Sequence, residues 1–164
     1  MIGEMILGLL LAKGIPAAEP SFAFLCRLEG AFEMENPKAV AYFPKRRPLA
    51  FLVKRAGNSA LTPSHTFDPT SALGGRQIQA LSYNAYNTLA YRAVTSLRDA
   101  NSPVLNIIPT ESVSHNEWAI AIGQLGTSRS VVGKCLLNDG VSEAAFESLV
   151  KSIRQKMNPN GELE

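Results

Sequence analysis

The stretch from Gly75 to Asp99 constrains this chain most. Ile78, Leu81, Ala85, Leu89, Ala93 and Leu97 recur at steps of three and four, the spacing that gathers side chains on one face of an α-helix. Gly74 and Gly75 precede the run and Asn101-Ser102-Pro103 follows it, as start and stop signals would. At 1.5 Å per residue such a helix reaches ~35 Å, enough to cross a small domain. Its other face carries Arg76, Asn84, Asn87, Arg92 and Arg98. The period therefore predicts that Leu81, Ala85, Leu89 and Leu97 are buried, while Asn84, Arg92 and Arg98 face water.

The segments on either side read as strands. Phe22–Leu28 is a short apolar run, and Ala39–Phe43 and Leu49–Lys54 are rich in β-formers. Between the last two sits Pro44-Lys45-Arg46-Arg47-Pro48. A proline at each end would break the pairing and leave three bases at a hairpin tip. Gly57–Gly75 reads as a long loop. Beyond the central segment, Val104–Ile108, Glu117–Gly123 and Ser130–Leu137 are strand-like. Ser142 suits an N-cap for a helix to about Met157, with Ala145, Phe146, Leu149, Val150 and Ile153 as its apolar face. Ten prolines and twelve glycines argue against a helical bundle. The expected fold is α+β, a mostly antiparallel sheet covered by a long central helix and a C-terminal helix.

Residues 1–21 form an apolar N-terminal segment plus linker, 22–158 a single α+β domain, and 159–164 a disordered tail. Met5–Ala12 is apolar and Ser21-Phe22-Ala23 would suit a cleavage site, but Glu4 stands where a leader wants bases. A retained helix, able to join subunits, is therefore placed ahead of a cleaved signal, and the cytoplasm ahead of export. Cleavage would make a Cys26–Cys135 bridge expected. No stretch has the ~18 apolar residues of a membrane-spanning helix.

The net charge is +2, but it is unevenly spread. Residues 37–98 hold nine bases against one acid, a net +8, and residues 99–164 hold eight acids against five bases. All four tyrosines, Tyr42, Tyr83, Tyr86 and Tyr91, lie in the basic part. Such asymmetry points to an anionic partner. Lys45, Arg46, Arg47, Lys54, Arg55, Arg76 and Arg92 are the candidate contacts. Gly74-Gly75-Arg76, at the expected helix start, and Gly126-Thr127-Ser128-Arg129-Ser130 are candidate anion nests.

Catalytic signals are thin. Cys26, Ser64, His65 and His115 are the candidates for a nucleophile and base. Residues adjacent in one loop do not readily take up a nucleophile–base–acid geometry. His65, Asp68, His115 and Glu117 lack metal-ligand spacing, so no metal or cofactor is assigned. The favoured function is a non-catalytic binding protein whose basic segment meets a polyanion, nucleic acid first. The alternatives are an exported or assembly-associated accessory protein and a small hydrolase with a Cys or Ser nucleophile.

Overall fold

The computed structural model describes residues 21–33, 35–56, 60–84, 90–110, 116–124 and 127–164. Eight strands run β1 (Ser21–Glu33), β2 (Asn36–Ala56), β3 (Ala60–Phe67), β4 (Ala80–Asn84), β5 (Ala90–Val94), β6 (Val104–Pro109), β7 (Glu117–Gly123) and β8 (Arg129–Asp139), followed by helix α1 (Glu143–Gln155). Every ladder is antiparallel, in the order β3-β2-β1-β8-β7-β6-β5-β4. The meander curls until its first and last strands pair, and β3 comes to lie near β4. The result is a nearly closed up-and-down barrel. Closure hides most of the edges that an open sheet would expose.

The α+β expectation is thus corrected: among the described residues there is no central helix. The Gly75–Asp99 stretch supplies β4 and β5, with Tyr83 opposite Tyr91 and Leu81 opposite Ala93. A second period explains why. Tyr91, Ala93 and Thr95 are buried, whereas Arg92 and Val94, which alternate with them, are not. That is the period-two pattern of a strand with one face in the core. Leu81 is buried as expected, but Leu97 is 74% exposed. Ala85 and Leu89 lie outside the described residues.

Two apolar layers meet on β1 and β2. Inside the barrel lie Phe22, Phe24, Cys26 and Leu28 of β1, Leu49, Phe51 and Val53 of β2, and one or two residues from each remaining strand of the wall except β3. Phe24 is the hub, with Phe22, Phe51, Tyr91 and Trp118 around it at ring separations of 5.0–6.2 Å. On the outer wall, Ala23, Ala50, Leu52 and Phe67 pack under α1 through Phe146. Both faces of these strands are covered, so they read as continuous apolar runs rather than alternating ones. The helix start is fixed by Ser142, whose hydroxyl accepts from the Ala145 N–H at 3.1 Å. No helix of the described residues is long and apolar enough to cross a membrane.

Three further expectations change. The basic triplet Lys45-Arg46-Arg47 is not a hairpin tip, because β2 continues through both prolines with Arg47 opposite Leu28 and Pro48 opposite Arg27. Only Ala50–Ala56 of β2 also pairs with β3. The triplet therefore lies on the half of the strand with a free edge, where proline costs no ladder bond. Gly57–Gly75 contains β3 rather than one long loop. Residues 159–164 do not trail: Leu163 N–H donates to the Arg46 carbonyl at 2.8 Å, and Gly161, at φ 78°, sits against Pro69. The N-terminal helix or leader falls within residues 1–20, outside the described set.

Cys26 and Cys135 stand opposite each other on β1 and β8 and form a disulfide, both almost fully buried. The bridge joins the two strands that close the barrel.

Candidate functional site: a basic cup at the barrel end

One end of the barrel is built by the second half of β1, the first half of β2, the β3–β4 connection and the β7–β8 turn. Here the inward side chains give out before the strands do, leaving a cup of about 300 Å³. Its floor is apolar, formed by Leu28, Phe43, Ile122 and Val131. Its rim carries Arg47 and Arg129, the hydroxyls of Ser71 and Thr127, and Gln124, with no carboxylate in the lining.

Local bonding fixes the rim. The Asp68 carboxylate accepts the Ala72 N–H at 2.9 Å and the Leu73 N–H at 2.8 Å, and Leu73 is buried. This shapes the Thr70–Ala72 wall and holds Ser71 at φ 55°. Left-handed backbone at a non-glycine residue stores strain and recurs at binding sites. Opposite, the Arg47 guanidinium lies 3.9 Å above the Phe43 ring, with Glu162 Oε1 3.5 Å from Nε. That ion pair is too poorly aligned to be a hydrogen bond. Among the described residues, two of the three buried side-chain N/O atoms without a hydrogen-bond partner, Arg47 Nε and Thr70 Oγ1, come from residues that line this cup. Buried polar groups are normally paired; these two atoms are closed off from solvent and so lie behind the surface of the cup rather than on it.

A second, larger hollow of about 660 Å³ runs between α1 and the outer wall of β1 and β8. It mixes Arg27, Arg46, Lys134 and Lys156 with Glu29, Glu117 and Glu164. Lys134 pairs with Glu117 at 3.5 Å, and none of the orphaned polar atoms comes from its lining.

The predicted anion contacts disperse. Arg47 alone reaches the cup. Lys54 pairs with Glu143 at 3.4 Å, Arg55 with Asp139 at 3.7 Å, and Arg76 with Asp99 at 3.1 Å. Asp99 is held below the usual carboxylate range by the Asn101 N–H first, then by Ser102 and Arg76. Arg76 is therefore tied to the 95–103 connection and opens no helix. Lys45, Arg46 and Arg92 are exposed on the wall. The four acids that pair with Arg47, Lys54, Arg55 and Arg76 all come from residues 99–164. Four of the nine bases of residues 37–98 are thus paired within the fold, while Lys45, Arg46 and Arg92 stay exposed.

Among the catalytic candidates, Cys26 is in the disulfide and has no thiol to react. His115 lies outside the described residues. Ser64 and His65 do meet, with Ser64 Oγ 3.0 Å from His65 Nδ1. His65 Nε2 is 3.1 Å from Glu143 Oε1. A β-bulge makes this possible: Leu52 pairs with His65 and Val53 with Pro63, leaving Ser64 as the extra residue. Bulges re-aim side chains that a regular strand would point to opposite faces. Neither hollow is lined by Ser64, His65 or Glu143. Asp68 caps its own loop and Glu117 pairs with Lys134, so neither joins His65.

Of the cup residues, the sequence marked Arg47 as an anion contact, and Thr127 and Arg129 through the Gly126–Ser130 candidate nest. Thr70 and Ser71 carried no signal, because only closure of the barrel brings them to the cup. Comparison with protein-family models, with curated proteins and with solved structures returned no match.

Proposed function

We propose that this protein is a non-catalytic binding protein of an oxidising compartment, which takes a small amphiphilic anion in the cup at its barrel end. One observation carries the reading: an apolar floor beneath Arg47, Arg129 and the Ser71 and Thr127 hydroxyls, with no carboxylate in the lining. Small up-and-down barrels commonly hold a single ligand at a mouth of this kind. The chemistry that fits is a short apolar body ending in a carboxylate, sulfonate or phosphate, because the arginines provide charge-assisted donors. The buried Cys26–Cys135 bridge supports the compartment, since structural disulfides persist where thiols are not kept reduced.

Octanoate, with 1-octanol as its uncharged counterpart, tests the reading by calorimetry. Octanoate should bind at least tenfold more tightly. Arg129→Met should weaken octanoate binding about 10-fold or more, the equivalent of one lost charge-assisted hydrogen bond. The same substitution should leave the melting temperature of the free protein unchanged, because Arg129 is exposed. Equal binding of the two probes, no binding of either, or an Arg129→Met variant that binds octanoate like the parent overturns the proposal.

A further inference from the structure

Beside the first turns of α1, on the outer wall and away from the cup, His65, Glu143 and Glu147 each present one ligand atom. These atoms all lie within 4.8 Å of one another. We infer that they form a divalent-cation site of the zinc class, which clamps α1 to β3.

The three ligands come from two elements, each held for its own reasons. His65 is aimed outward by the bulge at Ser64 and oriented by the Ser64 hydroxyl on Nδ1. A partner on one ring nitrogen fixes the tautomer and leaves the other nitrogen to the metal, the usual outer-shell arrangement of metal-bound histidine. Glu143 and Glu147 are one helical turn apart and therefore share a face. That face is turned to β3 by Phe146, which is buried in the outer core, with the His65 ring 6.1 Å from its own.

The spacing suits a small tetrahedral ion. Ligand bonds of ~2.0 Å at a tetrahedral angle put neighbouring ligand atoms ~3.3 Å apart. His65 Nε2 and Glu143 Oε1 are already 3.1 Å apart. Glu147 has only to close by about 1–2 Å, within reach of a side-chain rotation. Three protein ligands of one nitrogen and two carboxylates leave the fourth position to water. Half-exposed Glu143 and exposed Glu147 provide the open side that water needs. Lys54 Nζ, 3.4 Å from Glu143 Oε2, holds that carboxylate's other oxygen. It also repels a cation, so the site should favour the ions that bind nitrogen most strongly.

The test uses tag-free protein freed of metal, titrated with zinc chloride and, separately, with magnesium chloride. One zinc per chain should bind with micromolar affinity, at least a hundredfold more tightly than magnesium, and should raise the melting temperature by several degrees. Glu147→Gln should lose at least tenfold in zinc affinity and most of the thermal shift, with the metal-free melting temperature unchanged. His65→Ala should behave likewise for zinc. Lys54→Met should bind zinc more tightly than the parent. The inference is overturned if the parent takes up no zinc at 1 mM, if Glu147→Gln and His65→Ala both bind like the parent, or if bound zinc leaves the melting temperature where it was.

Discussion

Replacing both Cys26 and Cys135 by alanine should cost this protein close to half of a typical domain's stability. In the folded state the two residues face each other on neighbouring strands and are held together by the β1–β8 ladder in any case. The bridge therefore acts chiefly through the unfolded chain, where it closes a loop spanning 109 positions of sequence. The loop-entropy relation puts that restriction at about 5 kcal/mol, against the ~5–15 kcal/mol by which a domain is stable. Trp118, the one tryptophan, packs on Phe24 and Tyr91 and reports barrel opening by fluorescence. With a urea slope of ~1–3 kcal/mol/M, the unfolding midpoint should fall by roughly 2–5 M. The slope itself should rise, because an uncrosslinked chain exposes more surface when it unfolds. Cys26 is 4% and Cys135 1% exposed. Phosphine reductant should therefore act on the native protein only as fast as the barrel opens. A midpoint that moves by less than ~0.5 M at constant slope would refute the loop-entropy account. Free thiols in the unreduced, unfolded protein would remove its premise.

The rest of the fold makes equally direct predictions. Phe24→Ala should destabilise by about 3–5 kcal/mol in the same urea assay, while Leu97→Ala, at a position 74% exposed, should change little. Gly133→Ala should prevent the native β1–β8 register, seen as loss of the Trp118 signal, because the added carbon would sit 2.2 Å from the Arg27 carbonyl oxygen. A fluorophosphonate probe should leave Ser64 unlabelled; labelling that Ser64→Ala abolishes would restore the hydrolase reading. Tyr91 should be titrated by absorbance above its ordinary 10.0, since burial raises it more than Arg55 lowers it. A proton held longer in the folded state stabilises the fold only below the unfolded value, so this contribution is present up to pH ~10 and is lost as pH rises further.

Legibility in the sequence followed the number of competing periods. The strands Leu49–Lys54, Val104–Ile108 and Glu117–Gly123, and the C-terminal helix with its Ser142 cap, each satisfy one local pattern and one only. The Gly75–Asp99 stretch satisfies two. Its residues at steps of three and four are mostly alanine and leucine, which suit either structure. The evidence for strand lay in Tyr83, Tyr91, Val94 and Thr95, and in the alternation around Arg92. A wrong period there cost the whole architecture. Without β4 and β5 the chain has too few strands to curl round, and β1 has no reason to meet β8. The disulfide was legible only as a consequence of export, for the same reason: what makes Cys26 and Cys135 neighbours is barrel closure, which no local pattern encodes. Ser64 and His65 needed one further non-local fact, the bulge against β2.

The charge pattern is answered in part by the fold itself. Nine bases against one acid over residues 37–98 is a correct count, yet it describes a line rather than a surface. Folding lays the C-terminal third alongside that line. Glu162 comes to Arg47, Glu143 to Lys54, Asp139 to Arg55 and Asp99 to Arg76. Partly exposed pairs of this kind contribute little stability each, about 0–1 kcal/mol. What they change is the field outside the molecule, which each pair weakens without abolishing, so that Arg47 keeps part of its attraction for an anion. A block of one sign followed in the chain by a block of the other is thus what an antiparallel meander needs when its last elements close on its first. Two blocks of the same sign would have been the stronger sign of an outside polyanion. Arg47 and Arg129, the pair that keeps a cavity to face, come from the two different blocks, and only barrel closure brings them to one rim.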